Sequence, residues 1–88
     1  MNKDSQRALK AKAHSLKPVV LMGHKGLTPA VITEIEAALQ CHELIKIKLV
    51  GEDKAERQTL MTTICEQTHA EPIGLIGQIA IVYRKRKD

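Results

Sequence analysis

The sequence predicts a small α/β domain, in which a first helix is followed by alternating strands and helices and closed by a β-hairpin. Three observations predict it. The chain has 88 residues, enough for one domain but too few for two that each bury a core without metals or disulfides. Apolar residues recur at helical spacing in three segments and as short runs or strict alternation between them, the two periods that separate helices from strands. The core material is aliphatic, with nine Ile, nine Leu and five Val against no Phe, no Trp and Tyr83 as the single aromatic. Such residues suit buried strands.

The elements follow in order. Asp4 or Ser5 is a possible cap for a first helix in which Leu9, Ala13 and Leu16 recur at helical spacing, and Pro18 closes it because the residue before a proline avoids helical dihedrals. The run Val19, Val20, Leu21, Met22 reads as a strand buried on both faces. Gly23, His24, Lys25 and Gly26 come next, and then Thr28 and Pro29, a capping hydroxyl followed by a proline at the first helical position. Val31, Ile32, Ile35, Ala38 and Leu39 form the inward stripe of this second helix, with Glu34, Glu36 and Gln40 outward.

From Leu44 to Val50 the apolar Ile45, Ile47 and Leu49 alternate with Lys46 and Lys48, which identifies a strand with one buried face. Gly51 ends it. Asp53 and Glu56 have capping-box spacing ahead of Leu60, Met61, Ile64 and Cys65, the stripe of a third helix whose exit Pro72 marks. Residues 73–76 and 79–83 read as two strands joined by a tight turn at Gly77 and Gln78. Helices between the first three strands favour right-handed parallel crossovers, and the hairpin adds one antiparallel strand.

Hydrophobic residues make up 43% and charged residues 27% of the chain, which excludes a disordered polyelectrolyte. The net charge of +4 is unevenly placed. Residues 1–17 carry five Lys or Arg against one Asp, residues 51–83 two against five acids, and residues 84–88 four against one. The basic ends point to an acidic partner. Lys3, Arg7, Lys10, His14 and Lys17 recur at three and four residues, placing them on one stripe of the first helix. Its exposed positions hold almost no acid after Asp4, whereas a merely solvated face mixes both signs. Lys46 and Lys48 extend this patch if the second face of the sheet is open.

Gly23-x-x-Gly26 lies between a strand and a helix start, where free amides and the helix dipole favour an anion, and Lys25 adds a cation at the tip. A glycine pair at such a turn is more often only a tight turn. No Gly-Lys-Ser/Thr follows, which excludes a Walker A loop, and the third glycine of a dinucleotide fingerprint is missing. Cys41 and Cys65 are too few to staple a secreted scaffold. Cys65 and His69, with Cys41 and His42, supply four potential zinc ligands, but Cys65 falls on the apolar stripe and no CxxC or HxxxH occurs, so no metal or other cofactor is expected. No spacing couples a nucleophile to a base, and Glu34 and Glu36 point to different sides of their helix, so an enzyme is not expected. Without a signal peptide pattern or an apolar run near membrane length, the chain is expected to be a cytoplasmic, soluble monomer without a membrane partner.

Residues 16–28, followed by residues 35–39 and 42–48, closely resemble the bacterial YhbY proteins, single CRM domains of the kind found in chloroplast splicing and ribosome maturation factors. The resemblance covers nearly the whole chain. It implies a CRM domain over residues 1–84, a basic tail over 85–88, and an α+β two-layer fold. The implied sheet is four-stranded and mixed, in the order 1-2-4-3, as in the carboxy-terminal domain of translation initiation factor three. It also implies RNA binding and association with precursors of the large ribosomal subunit. Gly23, His24, Lys25 and Gly26 correspond to the KH-type GxxG loop. That likeness is local, because a KH domain sets its GxxG between two helices and here a strand precedes it.

The resulting expectation is a non-enzymatic protein that aids large-subunit assembly by holding structured RNA, the partner being ribosomal RNA in precursor large-subunit particles. Gly23, His24, Lys25 and Gly26 would contact phosphate, while Lys3, Arg7, Lys10, Lys17, Arg84, Lys85, Arg86 and Lys87 supply long-range attraction. With one aromatic in the chain, the stacking platform of single-strand binders is missing. The alternative is an assembly adapter that docks mainly on a ribosomal protein through the acidic helix over residues 53–68.

Overall fold

Asn2, rather than Asp4 or Ser5, caps the first helix. The computed structural model describes residues 2–86, and in it the Ser5 amide donates to Asn2 Oδ1 at 2.8 Å. Helix α1 spans Lys3–Ala13 and stops well before Pro18. Its last turn tightens, with the His14 amide bonding to the Ala11 carbonyl, an i to i+3 closure typical of a helix end. Lys17 therefore lies beyond the helix, off the stripe of Lys3, Arg7 and Lys10.

The remaining order is β1 (Val20–Leu21), α2 (Pro29–His42), β2 (Leu44–Lys48), α3 (Lys54–Thr68), β3 (Glu71–Ile76) and β4 (Ile79–Tyr83). The sheet runs β1-β2-β4-β3, the order expected. β1 pairs parallel with β2, and β4 pairs antiparallel with both β2 and β3. A bulge between Pro72 and Gly74 lets the edge strand β3 carry its proline.

Local chemistry explains the two later helices. Thr28 Oγ1 accepts from the Val31 amide at 3.2 Å, and Pro29 occupies the first turn. Asp53 Oδ1 accepts from the Glu56 amide at 2.8 Å, while Glu56 reaches back to the Glu52 amide, one residue upstream of a standard capping box. α3 ends at His69, which takes the left-handed conformation common just past a helix. Pro72 is not the exit signal, since β3 already begins at Glu71. Gly77, with φ of 59°, supplies the positive dihedral that a two-residue hairpin needs at its first loop position.

α2 and α3 cover one face of the sheet. Their Ile35, Leu39, Met61, Ile64 and Cys65 pack on Val20, Ile45, Ile47, Ala80 and Val82. α1 lies on the other face, where Leu9 and Ala13 meet Leu44, Ile73, Ile81 and Tyr83. It covers only part of that face. β1 is therefore not buried on both sides as its apolar run suggests: Val20 and Met22 are buried, but Val19 is 49% and Leu21 66% exposed.

Burial also separates the two cysteines. Cys41 is exposed, whereas Cys65 is buried, and desolvation, with a smaller push from the Glu71 carboxylate, raises its thiol to about 11. At pH 8 a thiol-alkylating reagent is expected to modify one cysteine per native chain and two in urea, counted by mass spectrometry. Rapid double labelling of the native chain would contradict this packing.

Candidate nucleic-acid interface

The Gly23–Gly26 loop leaves β1 at the end of the sheet where β2 also ends. Met22 is buried and anchors its entry, and the Gly26 amide donates to the Gly23 carbonyl at 2.9 Å. That bond closes a β-turn with His24 and Lys25 at its tip, both exposed. Gly26 has φ of 77°, a conformation that a residue with Cβ adopts only under strain. A Cβ on either glycine would meet no atom within 4 Å. The backbone is thus bare toward solvent. A cleft of about 230 Å³ lies here, lined by Gly23, His24, Lys25, Gly26, Thr28 and Val31.

The start of α2 offers fewer free amides than a bare helix end. The Val31 amide is taken by Thr28, Pro29 has none, and Ile32 bonds to the Thr28 carbonyl. Among the described residues only the Ala30 amide of this turn lacks such a partner. An anion here would therefore be met mainly by the loop and the Lys25 ammonium, with the helix dipole behind them.

The basic residues singled out from the sequence do not form one patch. Lys3 and Arg7 are exposed on α1. Lys10 lies along β3, its Cε 3.4 Å from where a Gly74 Cβ would stand. Gln6, one turn earlier, reaches the Pro72 carbonyl, and His14 shares a cleft with Ile76 and Ile79. α1 thus runs obliquely from the end of the sheet where β4 finishes toward the end that carries the glycine loop. Lys17 stands beside Lys12, Val19 and His42 in a second cleft of about 320 Å³. Lys12 is a cation that sequence reasoning missed, because it falls off the three-and-four stripe of Lys3, Arg7 and Lys10.

The carboxy-terminal cations start at the end of the sheet opposite the loop, where the Arg84 amide donates to the Glu43 carbonyl. Arg84 is folded into the domain. Its guanidinium donates to Glu36 Oε2 and to the Thr68 carbonyl, each at 2.8 Å, and its side chain is 19% exposed. Glu36 consequently pairs with this arginine while its side chain stays 42% exposed. Arg86 donates its backbone amide to Glu43 Oε2 and its side chain to the Cys41 carbonyl. Lys85 is exposed, and Lys87 lies outside the described residues. Among the described residues, no three His, Cys, Asp or Glu side chains group as a metal site, and no helix is long and apolar enough to cross a membrane.

Comparison with known proteins adds to this geometry. The family model of the CRS1 / YhbY (CRM) domain matches residues 1–84. A Haemophilus influenzae protein named as an RNA-binding protein is 44% identical over 80 residues, covering 91% of this chain and 81% of the relative. A Pseudomonas aeruginosa protein, named as a probable RNA-binding protein, is 38% identical over 85 residues, covering 97% and 82%. The solution structure of a hypothetical protein from Staphylococcus aureus superposes with a TM-score of 0.90 at 27% identity, over all of this chain and 92% of that one. A matching fold, a matching family model and close relatives agree: this chain belongs to the CRS1 / YhbY (CRM) domain family.

Proposed function

We propose that the protein is a non-enzymatic RNA-binding factor that associates with precursor large ribosomal subunits and aids their assembly. The observation that carries the binding reading is the bare Gly23–Gly26 turn, open to solvent at the start of a helix with Lys25 at its tip. Relatives named as RNA-binding proteins support it, and the resemblance to YhbY proteins supplies the ribosomal precursor as target. Phosphate would meet the loop, while Lys3, Arg7, Lys10, Lys17 and Lys85 draw the polyanion in. Arg84 and Arg86 contribute through the fold, given their partners.

The adapter reading has less support. Over residues 53–68 Lys54 and Arg57 stand against Asp53, Glu56 and Glu66, a net charge of −1 that gives a basic protein little to hold.

Lys25→Ala is expected to weaken binding to structured ribosomal RNA whatever its sequence, and to reduce the slope of log K against log salt by roughly one unit. Titrations from low to moderate salt by fluorescence anisotropy measure both. A variant with wild-type affinity and slope would remove Lys25 from the interface. Crosslinking with nucleotide resolution on assembling subunits tests the ribosomal target, and crosslinks confined to protein would refute RNA binding there.

A further inference from the structure

Leu16, Val19, Leu21 and Ile76 are the exposed large aliphatic residues among those described; Leu16 and Val19 line the cleft beside Lys12 and Lys17, while Leu21 and Ile76 lie on the face of the sheet that α1 only partly covers. Leu21 is in register with Lys48, Lys48 with Ile79, and Ile79 with Ile76. Cross-strand partners share a face. Leu21, Lys48, Ile79 and Ile76 therefore form one row across all four strands, at the end of the sheet that carries the glycine loop. Leu21 is 66% and Ile76 50% exposed.

The next row inward is Lys46, Ile81 and Gly74. α1 closes over it, since Ile81 is buried and Lys10 lies along Gly74. Lys46 is held there by its Nζ donating to the Leu16 carbonyl at 3.1 Å. Between the rows is a cleft of about 130 Å³ lined by Lys10, His14, Lys46, Ile76, Ile79 and Ile81. That is below the roughly 300 Å³ at which ordinary small-molecule pockets begin.

Apolar contact and positive charge alternate at this place, and the charged groups lining the cleft are all basic. Glu71, the acidic residue of β3, is in register with Tyr83 at the other end of the sheet. An apolar floor edged by cations matches a ligand with a flat apolar face and an anionic backbone. It suits an unpaired nucleotide. The row also adjoins the loop: Leu21 and Gly23 are two residues apart, about 7 Å along an extended chain. A protein partner fits less well, because a stable interface needs about 800 Å² on each side and α1 divides this face.

We infer that the Leu21, Lys48, Ile79 and Ile76 row is a second part of the RNA site, taking an unpaired nucleotide next to a backbone held by the Gly23–Gly26 loop. The inference rests on the RNA-binding reading and narrows its ligand. The preferred RNA carries a bulge or a loop beside a helix. The base face lies on Ile79 and Ile76, which are cross-strand neighbours, Lys48 beside them meets its phosphate, and Leu21 on the far side of Lys48 contacts the adjoining nucleotide. Aliphatic side chains thus provide the apolar contact that aromatic residues supply elsewhere.

The test pairs Leu21→Thr with Ile76→Thr, both at exposed strand positions where a β-branched residue preserves the strand. Retained urea midpoint and circular dichroism establish the fold. Anisotropy then compares two RNAs of equal length, a perfect duplex and the same duplex with a two-nucleotide bulge. The wild type is expected to prefer the bulged RNA, and the double variant to lose about fivefold on it alone, with an unchanged salt slope. Wild-type preference in the variant, or equal loss on both RNAs, overturns the inference. So does unchanged RNA affinity combined with a wild-type dimer that the variant dissolves, which would assign the row to a second copy. Binding of neither RNA by the folded wild type would instead overturn the RNA-binding reading itself.

Discussion

Gly23→Asp is expected to lower affinity for structured RNA about tenfold or more while leaving the domain as stable as before. The two halves of this expectation have separate causes. Gly23 does not need a positive φ, and a Cβ there meets nothing within 4 Å, so folding is expected to tolerate the change. The new carboxylate, however, stands in the bare turn beside Lys25, where it repels the phosphate the loop would hold. Gly23→Asn separates charge from bulk, because it adds similar volume without the charge. It should retain most of the affinity. Raising the salt should narrow the gap between Asp and Asn variants, since exposed charges are screened within about 10 Å at 0.1 M. Wild-type binding by Gly23→Asp, measured by the same anisotropy titration, would mean that phosphate sits elsewhere.

Arg84→Ala is expected to do the reverse. It should cost about 2 kcal/mol of stability by leaving the Thr68 carbonyl and Glu36 without their donor, and should change RNA affinity little at temperatures where the variant is folded. For a domain of this size the loss corresponds to a fall in Tm of roughly 10 °C. Glu36 is 42% exposed, so Glu36→Ala should cost only about half as much, water replacing part of its interaction. Urea denaturation of the two single variants and the double variant measures the coupling. A marginal stability change in Arg84→Ala, together with a clear drop in affinity, would return Arg84 to the RNA surface.

Arg84 also illustrates what the sequence could reveal. It stands first in a run of four basic residues, and nothing local distinguishes it from its neighbours. Its partners Glu36 and Thr68 lie on two different helices far back in the chain, so only the fold identifies it as structural. The elements that were legible carry their signals within a few residues. Thr28 and Pro29 start α2, Asp53 and Glu56 start α3, and the alternation of Ile45, Lys46, Ile47 and Lys48 orients β2. The order β1-β2-β4-β3 was legible only through the resemblance to YhbY proteins.

β1 failed for the complementary reason. Four apolar residues in a row cannot reveal whether a layer exists to cover their second face, and α1 is set too far across the sheet to cover Leu21. The end of α1 was misplaced because Pro18 limits where a helix can continue and does not require it to reach there. The glycine loop itself was legible as a motif. The need of α2 for its own first-turn amides was less so, because the Thr28 cap both marks the helix and consumes a donor.

The position of β4 bears on how this chain is made. The last strand of the domain to be synthesised is an interior one, hydrogen-bonded on one side to β2 and on the other to β3. Until residues 79–83 have emerged, β2 and β3 have no partner between them, and the layer of α2 and α3 has only a fragment of sheet to pack on. Folding of the domain must therefore follow synthesis of nearly its whole length. A nascent chain stopped before Ile79 should be readily digested by protease, while one extended past Arg84 and clear of the exit tunnel should resist it.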